Sequence, residues 1–178
     1  MVDSVGRLMN LAKYIRDIPD FPKPGIVFKD ITPLLADPIA FHHAVDRLAL
    51  EYDSKHVDAI AAAEARGFLF AAPLALRLRK PLVPLRKPGK LPHRTYSLKY
   101  ELEYGLAELH MHVDGINEGS KVLLVDDLLA TGGTMAAGAQ LIQQAGGVIA
   151  GFAFLVELAF LNGRERLKPH PVFSLIQF

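Results

Sequence analysis

There is no cysteine in this chain of 178 residues. Disulfides and cysteine-based zinc sites are therefore excluded, and a reducing compartment is compatible with the composition. An excess of charge of either sign is also missing. Twenty basic and 19 acidic residues leave a net charge of +1, which gives no electrostatic case for nucleic acid or a membrane surface as a partner. Long apolar runs are absent too. The longest, such as 148–156, fall well short of the ~20 residues that span a bilayer, and no apolar signal core stands near the N-terminus. Neither G-x-x-x-x-G-K-[ST] nor G-x-G-x-x-G occurs, which excludes the P-loop and the dinucleotide fingerprint. Repeats, low-complexity tracts and linkers are lacking as well. What remains, with 51% apolar residues, is a chain able to bury a substantial core as one domain over residues 1–178.

The most informative stretch is 121–134, KVLLVDDLLATGGT. Residues 122–125 form a continuous aliphatic run, which suits a strand buried on both faces of a parallel sheet. Asp126 and Asp127 follow at the expected strand end. The small-residue turn Ala130, Thr131, Gly132, Gly133, Thr134 comes next. A helical pattern then carries apolar residues at Met135, Ala139, Ile142 and Ala145, and Gly146-Gly147 stops it. Strand, acids, glycine turn and helix together make a phosphate site. Unpaired backbone N–H groups and the helix dipole favour an anion there, and glycines let it approach the backbone. Two adjacent carboxylates can accept hydrogen bonds from vicinal sugar hydroxyls, so the combination predicts a ribose-phosphate site rather than an ordinary glycine loop.

Along the rest of the chain, apolar residues at Leu8, Leu11, Ala12 and Ile15 predict a short amphipathic helix over 4–16. Prolines and a glycine turn the chain at 20–25, and 26–28 is extended. Asp37-Pro38 starts a helix whose buried stripe is Phe41, Ala44, Val45, Leu48 and Tyr52. His42 and His43 are read as surface or boundary residues. A second buried strand over 57–63 ends in Glu64-Ala65-Arg66-Gly67 and leads into a helix over 68–78. An arginine at such a turn suits a phosphate group, with an Arg66–Glu64 ion pair as the equal alternative. A third strand over 81–85 precedes the basic stretch Arg86, Lys87, Lys90, His93, Arg94, Lys99. Strict alternation over 96–104 and again over 107–113 predicts a β-hairpin, with Tyr96, Leu98 and Tyr100 on one face. Beside a phosphate site such a cationic hairpin, 86–113, can serve as a mobile lid. His110 and His112 share its polar face, and no third metal ligand is suggested nearby. A strand over 148–158, a helical turn over 162–167 and a last strand over 172–176 complete the chain. This order predicts an α/β fold: a doubly wound, mostly parallel sheet flanked by helices, with its ligand site at the carboxyl ends of the strands.

The stretch VLLVDDLLATGGT resembles the phosphoribosyl-pyrophosphate (PRPP) motif of the type I phosphoribosyltransferases. FPKPGIVFKDITPLL, AAEARGFLF, RKPGKLP, YELEYGLAEL and VELAFLNGRERL resemble the adenine-specific branch of that family, in the same order and over most of the chain. The resemblance implies an N-terminal arm and hood over 1–35 and transfer of the phosphoribosyl group from PRPP to adenine, giving AMP and pyrophosphate. Alternatives are a transferase for another purine and a PRPP-sensing regulator. By the same resemblance, Phe28 stacks on adenine, main-chain groups of Val27 and Lys29 read its edge, and Leu158 closes its second face. Lys29 stands where the family usually has arginine. The loop Glu64, Ala65, Arg66, Gly67 takes pyrophosphate, with a cis peptide after the glutamate. Arg86, Lys87 and Lys90 neutralise the leaving group, and Tyr104 joins the PRPP and AMP contacts. Asp126 and Asp127 hold ribose, and residues 130–134 hold the 5′-phosphate. Glu103 is the implied acid/base. The resemblance also implies a homodimer, a cytoplasmic setting, and Mg²⁺ bound chiefly through PRPP rather than by protein ligands.

Overall fold

The computed structural model describes residues 9–52, 56–102 and 105–178, without the side chain of Leu102. It divides into two compact units, 1–47 and 48–178.

In the first unit, a 3₁₀ turn spans Leu11–Tyr14, started by Asn10, whose side-chain oxygen accepts from the Ala12 N–H at 3.0 Å. The chain then enters strand β1 (Arg16–Pro19), which pairs antiparallel with β2 (Val27–Asp30). The helix expected over 4–16 is thus limited, among the described residues, to one 3₁₀ turn. The cross-strand pairing from residue 16 onwards claims the backbone that a longer helix would need. Two ion pairs stitch the ribbon. Arg16 meets Asp30 at 2.6 Å, and Lys29 Nζ meets Asp17 Oδ1 at 2.7 Å. Helix α1 (Thr32–Ala36) follows, and α2 (Pro38–Tyr52) begins in this unit. Asp37 caps α2 as its sequence predicts, accepting from the N–H groups of Ile39 and Ala40. His43 is a correction. It is 4% exposed, not a surface residue, and burial lowers its pKa by disfavouring the imidazolium.

The second unit is built on a five-stranded, all-parallel sheet of β3 (Ala59–Ala63), β4 (Leu82–Leu85), β7 (Lys121–Leu129), β8 (Val148–Glu157) and β9 (Val172–Gln177). Their order across the sheet is β4-β3-β7-β8-β9. The chain moves outward from β3 to β4, then returns to the other side of β3 and continues through β7, β8 and β9. The reversal falls between β3 and β7. At such a switch point the connections leave in opposite directions and open a crevice beyond the carboxyl ends of the strands. Helix α3 (Gly67–Leu78) links β3 to β4, and α4 (Gly133–Gln144) links β7 to β8. Strands β3, β7 and β8 are almost wholly buried, which is why they read as continuous apolar runs. Gly138 lets α4 sit close on the sheet. A β-carbon there would stand 2.8 Å from Leu85 and 2.9 Å from Leu124.

Between β4 and β7 the chain forms a hairpin, β5 (Thr95–Leu102) and β6 (Gly105–His112). Its apolar face is not solvated. Leu109 and Met111 are buried, and Tyr96, Leu98 and Tyr100 pack against the same core as α4. The hairpin is thus anchored at its base.

Candidate active site

The β7 strand is longer than its aliphatic run. It continues through both acids to Leu129, with Asp126 paired in register to Phe154 and Leu128 to Val156. Asp126 and Asp127 therefore lie inside the strand, not just beyond it, because Leu128 and Leu129 keep the ladder with β8. Both acids meet the loop that joins β3 to α3. The Asp126 Oδ1 accepts from the Asp127 N–H at 2.9 Å. It also lies 2.8 Å from where a β-carbon on Gly67 would stand. Asp127 Oδ2 lies 3.0 Å from Arg66 Nε. The N–H does not align on it, so this buried oxygen has an ionic neighbour but no hydrogen-bond partner.

Two buried acids side by side resist ionisation. Burial pushes Asp126 well above the ordinary carboxylate range, and the charge of Asp127 adds to the shift. Burial raises Asp127 as well, against the opposing pull of the Arg66 guanidinium.

The Glu64–Ala65 peptide is cis. Arg66 pairs with Asp127 and Glu64 pairs elsewhere, so the Arg66–Glu64 alternative does not form. The Glu64 carboxylate accepts from Arg86 Nε at 2.6 Å and from the Lys87 N–H at 3.3 Å. Burial is the largest single influence on Glu64 and raises its pKa, but the hydrogen bonds from Arg86 and the Lys87 N–H, together with the charges of both residues, outweigh it and the net shift is downward. The backbone of Arg86 is held in turn by His110, through N–H to carbonyl bonds of 2.9 and 2.7 Å in opposite directions. Glu64 thus fixes the start of the basic stretch beside the β3–α3 loop.

At the far end of β7, Gly132 takes the N-cap position of α4 with φ 82°, and no side chain caps the helix. Its first N–H groups remain available, as an anion site requires. Gly132 is obligatory on two counts. Its φ is left-handed, and a β-carbon would stand 2.6 Å from the carbonyl oxygen of Gly163. Thr134 is in the first turn of α4, where the Tyr100 hydroxyl lies 3.5 Å from its Oγ1. A cleft of about 440 Å³ opens here, lined by Lys99, Tyr100, Glu101, Gly133, Gln140 and Arg166 among others. The hairpin therefore borders the glycine turn at 130–134. Leu158, half-buried after β8, donates its N–H to the Leu129 carbonyl at 2.9 Å.

In the first unit, Phe28 makes an edge contact with Phe21 at 5.2 Å between ring centroids. Lys29, through its pair with Asp17, braces the ribbon with its side chain. Val27 is half exposed, at 49%. Lys87 and Lys90 are exposed. Glu103 and Tyr104 lie outside the described residues. Sequence reasoning passed over Gly163, which packs against Ala130 and Gly132 of the glycine turn. Its only sequence signal is a lone glycine in a polar segment.

The sheet order, with an acid pair at the switch point and an uncapped glycine turn beside it, is that of a doubly wound α/β protein with a crevice suited to an anionic ligand. A phosphoribosyl transferase domain model matches residues 35–176. The adenine phosphoribosyltransferase of Chloroflexus aurantiacus is 57% identical over 169 residues, covering 95% of this chain and 98% of that protein. The crystal structure of the Thermoanaerobacter pseudethanolicus enzyme superposes with a TM-score of 0.92 at 54% identity, covering 94% of this chain and 98% of that one. The Saccharomyces cerevisiae enzyme, solved with an imino-altritol bisphosphate and adenine, gives a TM-score of 0.87 at 38% identity, with coverage of 93% and 96%. The chain belongs to the adenine phosphoribosyltransferase family.

Proposed function

We propose that this protein transfers the 5-phosphoribosyl group of PRPP to adenine, forming AMP and releasing pyrophosphate. The observation that carries the reading is the meeting of the β3–α3 loop with Asp126 and Asp127, next to the uncapped N-terminus of α4. One end of this array suits pyrophosphate, the middle a ribose and the other end a 5′-phosphate.

Breaking the anomeric C–O bond leaves positive charge on the ribose ring. Asp126 and Asp127 accept its hydroxyls, and their charge stabilises the cation as it develops. The pair is costly to ionise without a ligand, so Arg66 offsets Asp127 in the free protein and turns to pyrophosphate when PRPP arrives. Arg66 suits that exchange, because its side chain is 42% exposed while that of Asp127 is 5% exposed. The N–H groups of residues 130–134 hold the 5′-phosphate. Arg86, Lys87 and Lys90 neutralise the leaving group, and Glu103 removes the purine ring proton. The roles given to Glu103, Tyr104, Val27, Phe28, Lys29 and Leu158 rest on the family resemblance.

Magnesium bound together with PRPP would supply neutralisation of the pyrophosphate charge. The two acids, with one carboxylate oxygen lacking a hydrogen-bond partner, suit sugar hydroxyls or the waters of a hydrated ion. As a small, hard cation that keeps several waters, magnesium would take most of its remaining ligands from the substrate's phosphate oxygens. Two copies form a homodimer. An exposed apolar stripe on α3, with Leu69 43% and Leu76 82% exposed one above the other, supports an interface there. We place the reaction in the cytoplasm, which fits a chain without cysteine. No described helix is long and apolar enough to cross a membrane.

Product formation with PRPP and adenine, hypoxanthine or guanine in turn tests the proposal. AMP should accumulate with adenine alone. Equal turnover of an oxopurine would replace adenine specificity, and no product with any base, together with a PRPP-dependent gel shift of nucleic acid, would indicate a regulator.

A further inference from the structure

The segment after β8 folds back beneath the phosphate turn. It forms two 3₁₀ turns, Ala159–Leu161 and Gly163–Leu167. Gly163 is buried there, and a β-carbon on it would overlap the carbonyl oxygen of Ala130 and stand 2.9 Å from the Leu129 side chain. Two glycines thus face each other across the contact, Gly132 from the phosphate turn and Gly163 from below. Backbone packs on backbone with no side chain between them, so any shift of residue 163 is passed directly to residues 130–132.

The next residue fixes that segment. Arg164 forms a bidentate fork on Glu157, Nε to Oε1 at 2.6 Å and Nη2 to Oε2 at 2.6 Å. Its Nη1 donates to the Val172 carbonyl at 2.8 Å, and Nη2 lies 3.5 Å from Ser174 Oγ. Gln177 Nε2 donates to the same Glu157 carboxylate at 3.2 Å. The Glu157 side chain is 4% exposed, and Glu157 stands opposite Leu129 in the β7–β8 register. One arginine therefore ties the segment to β8 and β9 together. A planar fork with three anchored directions fixes position in a way that a lysine, with one mobile ammonium, does not.

We infer that Glu157 and Arg164 are positioning residues for PRPP: through Gly163 they set the height and curvature of the turn that takes the 5′-phosphate. Neither is among the residues proposed above to contact PRPP. Of the two phosphate-binding ends of the site their effect falls on the 5′-phosphate turn, because the pyrophosphate loop at 64–67 is built on β3 and α3. The inference rests on the reading of residues 130–134 as the 5′-phosphate turn.

Ribose 5-phosphate and pyrophosphate, titrated separately by calorimetry against the full-length protein, report the two ends. In Arg164→Lys, and independently in Gly163→Ala, affinity for ribose 5-phosphate should fall about tenfold or more while pyrophosphate affinity stays near wild type, since misplaced binding groups cost steeply with small displacements. Gln177→Leu keeps the ion pair and removes only the third contact. It should give a smaller loss of the same selective kind, and it covers the case in which the other two variants do not fold. Equal weakening of both ligands, or no weakening of either, would overturn the inference and leave the pair a plain structural tie. Gly132→Val separates this from the underlying reading. If it leaves ribose 5-phosphate affinity intact, the turn is not the phosphate site. If it abolishes binding while Arg164→Lys, Gly163→Ala and Gln177→Leu do not weaken it, the turn stands and the positioning role falls.

Discussion

Oδ1 of Asp126 lies 2.8 Å from the place where a β-carbon on Gly67 would stand, and the Val125 carbonyl oxygen lies 3.1 Å from it. Gly67 opens α3 without a left-handed φ, so its lack of a side chain matters here for space rather than for backbone conformation. An added methyl must push the carboxylate aside. Gly67→Ala is therefore expected to fold and to lose turnover by about tenfold to a hundredfold, because a catalytic group displaced by a fraction of an ångström is no longer aligned on the ribose. Steady-state kinetics beside a melting curve checks this. Wild-type kcat with a lowered Tm would mean that the contact serves packing only.

Asp126 trades stability for function. Its carboxyl titrates well above the usual range in the fold because burial and Asp127 disfavour the charged form. The sign follows. A raised folded-state value favours folding at pH below the unfolded value of about 3.9, and that contribution is lost as pH rises through the folded value. Asp126→Asn removes the penalty. Its Tm should exceed that of the wild type at pH 8 and converge on it near pH 4, while turnover falls. An equal Tm difference at both pH values would exclude ionisation as the cause.

Glu64 organises the start of the basic stretch. Its carboxylate holds Arg86 at 2.6 Å and accepts from the Lys87 N–H. Glu64→Gln keeps the shape but loses the charge that holds Arg86, so affinity for pyrophosphate should fall several-fold. Affinity for ribose 5-phosphate should change little. A loss of equal size for both ligands would point to a general disturbance of the β3–α3 loop.

Glu103 is proposed as the acid/base group. General acid–base catalysis is typically worth ~10²–10⁴-fold, and Glu103→Gln should lower kcat by about that factor while PRPP still binds. Glu101→Gln is the control. Glu101 is an exposed residue on β5 that lines the cleft by the phosphate turn, and its loss should be small. Single-turnover measurement isolates the chemical step. A Glu103→Gln variant near the wild-type rate would send the proton to water or to another group.

Much was legible in the sequence where one chemical cause acts locally. The aliphatic runs of β3, β7 and β8 read as buried strands because they are apolar on both faces, short and bounded by turn residues. The glycine turn ahead of α4 signalled its uncapped N-terminus. Asp37 signalled the start of α2. Tyr96, Leu98 and Tyr100 signalled the buried face of the hairpin by alternation. The resemblance carried by VDDLLATGGT named the chemistry.

Only the tertiary structure decided the pairings. Arg66 could have met Glu64 two residues away, but the parallel register of β3 beside β7 brings it to Asp127 and leaves Glu64 for Arg86. Among the described residues the expected N-terminal helix is a single 3₁₀ turn, which ends where Arg16 enters β1 and pairs with β2. His43 became a core residue because of the packing around α2, which its own neighbours in the chain do not reveal. Gly163 acquired its place beneath Ala130 for the same reason. A sequence fixes which groups are charged, apolar or small, since those are properties of single residues. Which carboxylate meets which guanidinium, and which glycine lies under which carbonyl, depends on distances between residues far apart in the chain, and those exist only once the sheet has closed around its switch point.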